Sequence, residues 1–117
     1  MTTEPIACRL RTLRRRSGLS QAELAKLLGF FSEVPVSRHE RSDTVPNLLT
    51  AFAYEVIFRV PASEIFPGLY RAVEAGIEER LAKLEQALHD SNAKGRSAAS
   101  VARKLEFIWE RNNPQSN

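Results

Sequence analysis

The 117 residues are enough for one domain with an appendage, and 43% of them are hydrophobic and 26% charged. These proportions exclude a disordered chain and a collagen-like or mucin-like one. We expect no membrane association, because no apolar run approaches the roughly 18 residues of a membrane span, and we expect no signal peptide. Cys8 is the single cysteine, which excludes an intrachain disulfide and predicts a protein of the reducing cytoplasm.

The net charge of +3 is concentrated in the first part of the chain. Residues 1–46 contain eight Lys or Arg and five Asp or Glu, whereas residues 47–117 contain nine of each. Five of the eight are arginines between Arg9 and Arg16. A basic part beside a neutral part indicates a polyanionic partner for the first, although a solvated basic helix face gives the same pattern.

The first half of the chain has helical periodicity and strong end signals, and no strand pattern is present. We predict helix 1 over about residues 5–17, ended by Gly18. Ser20 to Glu23 is a capping-box pattern that begins helix 2, and Gly29 ends that helix. A polar helix 3 follows over residues 33–42, with Val36 as its one apolar position.

Helix 4 begins at its predicted N-cap, Asn47, and is expected to be a core helix because of its many apolar residues, which are Leu48, Leu49, Phe52, Ala53, Val56 and Ile57. Pro61 suits the first position of a short helix 5, and Pro67-Gly68 indicates a turn.

The remaining chain is predicted to form a helical extension over residues 69–111, followed by a disordered tail over residues 112–117. A long amphipathic stripe runs from Leu69 to Leu88, residues 90–95 have a linker's composition, and a last stripe runs from Val101 to Trp109. The extension either pairs with a second copy of the chain, which we favour, or packs back on its own domain.

No arrangement of residues suggests catalysis or metal binding. His39 and His89 lie in unrelated segments without an acidic partner at a telling spacing, and no glycine-rich phosphate loop is present. We therefore expect no enzyme, no catalytic residue, no metal site and no cofactor. His39 is expected on the surface or flank of helix 3, and Cys8 in the core as part of helix 1.

Residues 19–41 combine a helix containing small residues, a short turn and a second helix that is polar. A polar helix packed on another helix is typical of the helix-turn-helix, whose second helix enters the major groove of DNA. Residues 9–66 resemble the Cro-like phage-repressor family, also called XRE-type. The segments that carry this resemblance are Leu13-Arg14, GLSQAELA from Gly18, Leu28-Gly29, VSR from Val36, Glu40-Arg41 and Pro46.

The resemblance implies an all-α protein whose residues 1–68 form a five-helix lambda-repressor-like DNA-binding domain, and which acts as a homodimer on a two-fold operator. It implies a phosphate contact for Gln21 and base contacts on helix 3. It also implies backbone contacts after helix 3 and an ion pair between Arg14 and Glu40. The base-facing positions are Glu33, Val34, Ser37 and Arg38, and the backbone-contacting positions are Arg41 and Ser42.

The chain departs from the family pattern at three points. Ser42 stands where relatives often have glycine, and the connection between Gly29 and Val36 is one residue longer than the commonest form. Pro35 lies within helix 3 and disfavours helical backbone in the residue before it, so regular helix is expected to begin near Pro35. Glu33 and Val34 would then lie on the turn, which increases the weight on Arg38 as the base-reading residue.

Two functions fit this pattern. The first is a sequence-specific DNA-binding transcriptional regulator, acting as a repressor without any chemistry. The alternative is an antitoxin, which binds its own promoter through the helix-turn-helix and a toxin protein through the second half. For single side chains, Arg38 could contact phosphate instead of guanine, and Glu33 could cap helix 3 instead of contacting a base.

Overall fold

The computed structural model describes residues 8–115, and every regular element within that range is an α-helix. The helices are α1 (Leu10–Ser17), α2 (Gln21–Leu28), α3 (Val34–Glu40), α4 (Leu48–Phe58), α5 (Ala62–Ile65), α6 (Pro67–His89) and α7 (Arg96–Asn112). No helix of the described range is long and apolar enough to cross a membrane. The all-α prediction is confirmed for this part of the chain.

The chain divides into two compact units, with the boundary between Ala72 and Val73. The boundary lies inside α6. The first unit contains α1 to α5 and the start of α6, and the second contains the rest of α6 and α7.

Each of α1 to α5 contributes to the core of the first unit. The buried residues are Leu10, Leu24, Ala25, Val36, Tyr54, Ile65 and Phe66. Ala25 is the small one among them, and its size lets α2 pack closely in this core. Burial of each large apolar side chain contributes about 1.5–3 kcal/mol to stability.

Local signals in the sequence place the ends of the first helices correctly. Gly18 and Gly29 end α1 and α2 in the left-handed conformation, with φ of 80° and 82°. The capping box is complete, because the Ser20 hydroxyl accepts from the Glu23 amide at 3.0 Å and the Glu23 carboxylate accepts from the Ser20 amide at 2.9 Å. Asn47 caps α4 by accepting from the Thr50 amide at 2.9 Å.

Helix α1 begins at Leu10, later than predicted. The Arg9 amide donates to the carbonyl of Ile65 at 2.8 Å, so a tertiary contact occupies the donor that a longer helix would use internally. Cys8 consequently precedes α1 and is half-buried against the core, and its thiol donates to the His39 carbonyl. The predicted helical positions 5–7 lie outside the described residues.

Helix α3 begins one residue before Pro35 and ends at Glu40, two residues before the predicted end. Val34 is therefore helical, and the prediction that it lies on the turn is wrong. Proline has no amide hydrogen to donate, but the first turn of a helix does not need that hydrogen. At the other end, Ser42 has a φ of 62°, which stops the helix. The serine thus adopts the left-handed backbone that glycine favours at this position.

The prediction that α4 is a core helix is wrong for most of its apolar residues. Tyr54 is the buried residue of α4, whereas four of the apolar residues are more than a third exposed. They are Leu48, Leu49, Phe52 and Val56. The apolar residues of α4 are spread around the helix axis, so a large part of them cannot face the same core.

The predicted turn at Pro67-Gly68 is also wrong, because both residues begin α6. Proline is accepted in the first helical turn for the reason that applies to Pro35. Pro61 lies just before α5, as its N-cap.

In the second unit, the larger part of α6 is joined to α7 by residues 90–95. Ile108 of α7 is buried, and Arg111 forms an ion pair with Glu78 of α6 at 2.6 Å. Five large apolar or aromatic residues of this unit remain exposed, namely Val73, Ile77, Leu84, Phe107 and Trp109. Residues 113–115 follow α7 without regular structure, and residues 116–117 lie outside the described range.

Candidate nucleic-acid interface

Helix α3 has a buried face and an exposed face. Val36, His39 and Glu40 are buried, at spacings of three and four residues that bring them to one side of the helix. Val34 and Arg38 are exposed and are four residues apart, so they share another side. The buried face fixes the position of α3, and the exposed face is available to a partner.

The carboxylate of Glu40 holds α3 to α1 and α2. Arg14 donates from Nε to Glu40 Oε2 at 2.5 Å and from Nη2 to Oε1 at 3.2 Å. Gln21 Nε2 donates to Oε1 at 3.0 Å, and Arg11 Nε donates to the same oxygen at 3.3 Å. The Glu40 side chain is completely shielded from solvent and that of Arg14 is 12% exposed, so this is a buried, fully hydrogen-bonded ion pair.

The donors determine the ionisation of this cluster. Burial alone acts to raise the pKa of Glu40, but the hydrogen bonds and charge of Arg14, with Gln21 and Arg11, outweigh burial and lower that pKa below its ordinary value. The hydrogen bond with Glu40 raises the pKa of Arg14. Arg14 Nη1 also donates to the carbonyl of Leu19 at 3.0 Å, which ties the cluster to the turn before α2.

His39 is buried, so its expected place on the surface is wrong. Its Nδ1 lies 2.8 Å from the hydroxyl oxygen of Tyr54, and the two rings meet edge to face. Burial lowers the pKa of His39 and raises that of Tyr54. His39 and Val36 are three residues apart on one helix face, and this spacing is the signal that could have predicted the burial.

Gln21 is the first residue of α2 and is half-buried beside Glu40. One of the two hydrogens on its Nε2 is used by Glu40, so the other remains for an outside acceptor. The buried carboxylate therefore orients the amide at the N-terminus of α2, which is the end of a helix that attracts anions.

Arg38 differs from the other arginines near α3. It is exposed, and its guanidinium has no ion pair or hydrogen bond with any residue of the described range. Arg41 is also exposed, but its Nη1 donates to the Ser37 hydroxyl at 2.5 Å and its Nε to Asp43 at 2.9 Å. Arg38 is the more available of the two, since Arg41 has to leave Asp43 to use its full charge elsewhere.

Glu33 and Val34 lie at the start of α3. Glu33 occupies the N-cap position, is exposed, and makes no side-chain capping hydrogen bond. The Val34 amide instead meets the Ser32 hydroxyl at 3.4 Å. The capping role considered for the Glu33 side chain is therefore wrong. Its carboxylate accepts no hydrogen bond from the described residues.

The remaining arginines of the basic segment lie in α1 or directly before it. Arg9, Arg15 and Arg16 are exposed, while Arg11 donates to Glu40. No group of three or more His, Cys, Asp or Glu within residues 8–115 could hold a metal ion. The contacts of Arg11 and Tyr54 in the buried clusters have no local signal in the sequence, because their partners are 29 and 15 residues away along the chain.

A comparison with curated proteins and with solved structures finds no match for the chain. A family model described as a helix-turn-helix domain matches residues 5–57, the stretch that contains α1 to α3 and nearly all of α4. The match is consistent with membership of a helix-turn-helix family.

Proposed function

We propose that the chain is a sequence-specific DNA-binding transcriptional regulator of the Cro-like, XRE-type family, which acts in the cytoplasm as a repressor and carries out no chemistry. The observation that supports this most is the division of α3. One face is fixed to α1 by the buried Arg14–Glu40 ion pair and to α2 by the hydrogen bond from Gln21, while the other presents an unpartnered arginine. A rigid helix with a free guanidinium is suited to reading base edges.

The contacts of this proposal follow from the positions described above. Arg38 donates two hydrogen bonds to a guanine, and Glu33, Val34 and Ser37 face neighbouring bases. Gln21, Arg41 and Ser42 contact the phosphate backbone, and one or two of the exposed arginines around α1 add phosphate contacts. Occupation of the operator blocks transcription.

The first experiment selects bound sequences from a random pool of double-stranded DNA and measures affinity for the winners by fluorescence anisotropy. With roughly six to ten phosphate contacts per dimer, affinity should fall by orders of magnitude between about 50 and 200 mM salt. Binding that does not respond to salt, or no binding to any pool member, contradicts the proposal.

Arg38→Ala tests the recognition helix directly. We expect a loss of about 1–3 kcal/mol per half-site together with loss of preference at one base position. Gln21→Ala should weaken all sequences alike. Arg103→Ala is the charge-matched control, because Arg103 is an exposed arginine of the second unit. If Arg38→Ala weakens every sequence equally, Arg38 contacts phosphate and base selection lies elsewhere.

A homodimer is part of the proposal, because one recognition helix reads few bases and two half-sites lie about 34 Å apart on DNA. The exposed apolar residues of the second unit, among them Ile77 and Leu84, support pairing through residues 69–111. The exposed residues of α4, among them Phe52, offer a competing surface in the first unit.

Analytical ultracentrifugation of full-length variants separates these surfaces. We expect Ile77→Lys with Leu84→Lys to give a monomer, and Phe52→Lys to remain a dimer. The reverse result places the interface on α4. A wild-type chain that is monomeric contradicts the homodimer and favours a second unit that binds another protein, such as a toxin. Truncation after Gly68 is a poorer test because it removes Leu69, which packs on the core of the first unit.

A further inference from the structure

The turn between α2 and α3 exposes an aromatic side chain that no role described above uses. Phe31 is exposed to 109% of its reference area, more than any other large hydrophobic residue of the described range. Its neighbour Phe30 packs against the core, and the Phe30 amide donates to the carbonyl of Ala25 at 2.9 Å. The turn is therefore held in place at Phe30 while Phe31 is directed away from the fold.

A second apolar side chain is exposed at the same end of α3. Val34 is the first residue of that helix and is 49% exposed. We refer to Phe31 and Val34 as the apolar tip. In a helix-turn-helix, the N-terminal end of the second helix is the end that reaches the base edges. Exposed apolar groups at that end are unfavourable in water and gain nothing from phosphate oxygens.

The base edges of the major groove offer one apolar group, the 5-methyl group of thymine. We propose, resting on the DNA-binding function above, that the apolar tip determines specificity by contacting a thymine methyl group, with Phe31 as its main residue. This adds an apolar element to the recognition surface, which is otherwise made of hydrogen-bonding side chains.

The helix geometry gives the approximate distance between the start of α3 and the guanine read by Arg38. Val34 and Arg38 are four residues apart, which corresponds to a rise of about 6 Å along α3. Successive base pairs are separated by about 3.4 Å. Val34 is therefore expected about two base pairs from that guanine in each half-site. The thymine contacted by Phe31 is expected at or just beyond that position, because Phe31 precedes Val34 in the turn.

Replacement of thymine by uracil in the DNA tests the inference, because it removes the methyl group and leaves every hydrogen-bonding group unchanged. The selected operator is prepared with deoxyuridine in place of each thymidine in turn, and Kd is measured at one fixed salt concentration. We expect one position per half-site to lose about fourfold in affinity, the value for burial of one methyl group. Substitution in both half-sites should then cost about fifteenfold.

Phe31→Ala should bring the ratio of uracil to thymine Kd at that position close to one. It should not affect folding, since the side chain is fully exposed, and circular dichroism checks this. Tyr70→Ala is the matched control, because Tyr70 is an exposed aromatic residue outside α2 and α3, and it should keep the fourfold ratio.

Three results overturn the inference. Wild-type protein that binds its operator but is indifferent to uracil at every position shows that no methyl group is read. Phe31→Ala that keeps the wild-type ratio shows that Phe31 does not read it. Failure to bind any DNA overturns the proposed function as well, so the two failures can be told apart.

Discussion

Replacement of Arg14 by methionine is expected to destabilise the first unit by about 3 kcal/mol. Removal of one partner from a buried ion pair costs about 3–5 kcal/mol, because the other charge stays buried without its counterion. Here Gln21 and Arg11 still donate to Glu40 after the substitution, which places the cost at the lower end of that range. Domains of this size have a free energy of unfolding of about 5–15 kcal/mol, so the expected loss is a large fraction of it.

A double-mutant cycle tests the reasoning behind this value. Replacement of both Arg14 and Glu40 by methionine should cost less than the sum of the two single changes, with a coupling of about 2 kcal/mol, since the double variant leaves no unpaired buried charge. Asp43→Ala is the control. It breaks the Arg41–Asp43 pair, whose side chains are 50% and 53% exposed, and should cost at most about 1 kcal/mol.

The measurement must report on the first unit. Trp109 is the single tryptophan and belongs to the second unit, so its fluorescence follows that unit instead. Urea unfolding followed by circular dichroism, combined with amide hydrogen exchange in α1 to α3, gives the required free energies. A coupling indistinguishable from zero would refute the view that Glu40 and Arg14 stabilise each other.

Three further predictions concern stability. Gly29→Ala should lower the free energy of unfolding in urea by about 1–2 kcal/mol, because alanine is strained at a φ of 82°. The strain is confined to the backbone, since a Cβ there would meet no atom within 4 Å. Ser20→Ala should cost about 1 kcal/mol by removing the capping box, and Ser20→Thr should restore most of it. Burial lowers the pKa of His39 below its ordinary value of 6.5. The neutral imidazole's contribution to the free energy of unfolding is therefore complete above about pH 6.5 and should decrease as the pH falls further, by at most about 1.4 kcal/mol per pH unit. His39→Gln should lose this part of the acid sensitivity, and an unchanged pH profile would contradict the burial of a neutral imidazole.

Features set by neighbouring residues could be predicted from the sequence. The glycine ends of α1 and α2 and the Ser20 and Asn47 caps each depend on two to four consecutive residues. The structural role of a proline is harder to predict, because a helix tolerates proline in its first turn. Pro67-Gly68 has the composition of a turn, yet Pro67 begins α6.

Features set by tertiary contact could not be predicted in the same way. The apolar residues of α4 indicated a core helix, but composition does not say how much of a helix surface the core can cover, and Phe52 is 50% exposed. The burial of His39 depends on Tyr54, which lies on a different helix, so the residues next to His39 do not indicate this contact. The exposure of Phe31 has no signal in the sequence, because the adjacent Phe30 has the same side chain and packs against the core.

The separation of buried and exposed side chains on α3 bears on how the binding preference of such a protein can diverge. Val36, His39 and Glu40 fix the helix in the fold, whereas the exposed Val34 and Arg38 contribute little to its packing. Surface substitutions of this kind change stability by about 0.5 kcal/mol or less. If α3 reads DNA as proposed, its exposed face can therefore acquire new side chains, and with them new DNA targets, while the same folded domain is kept.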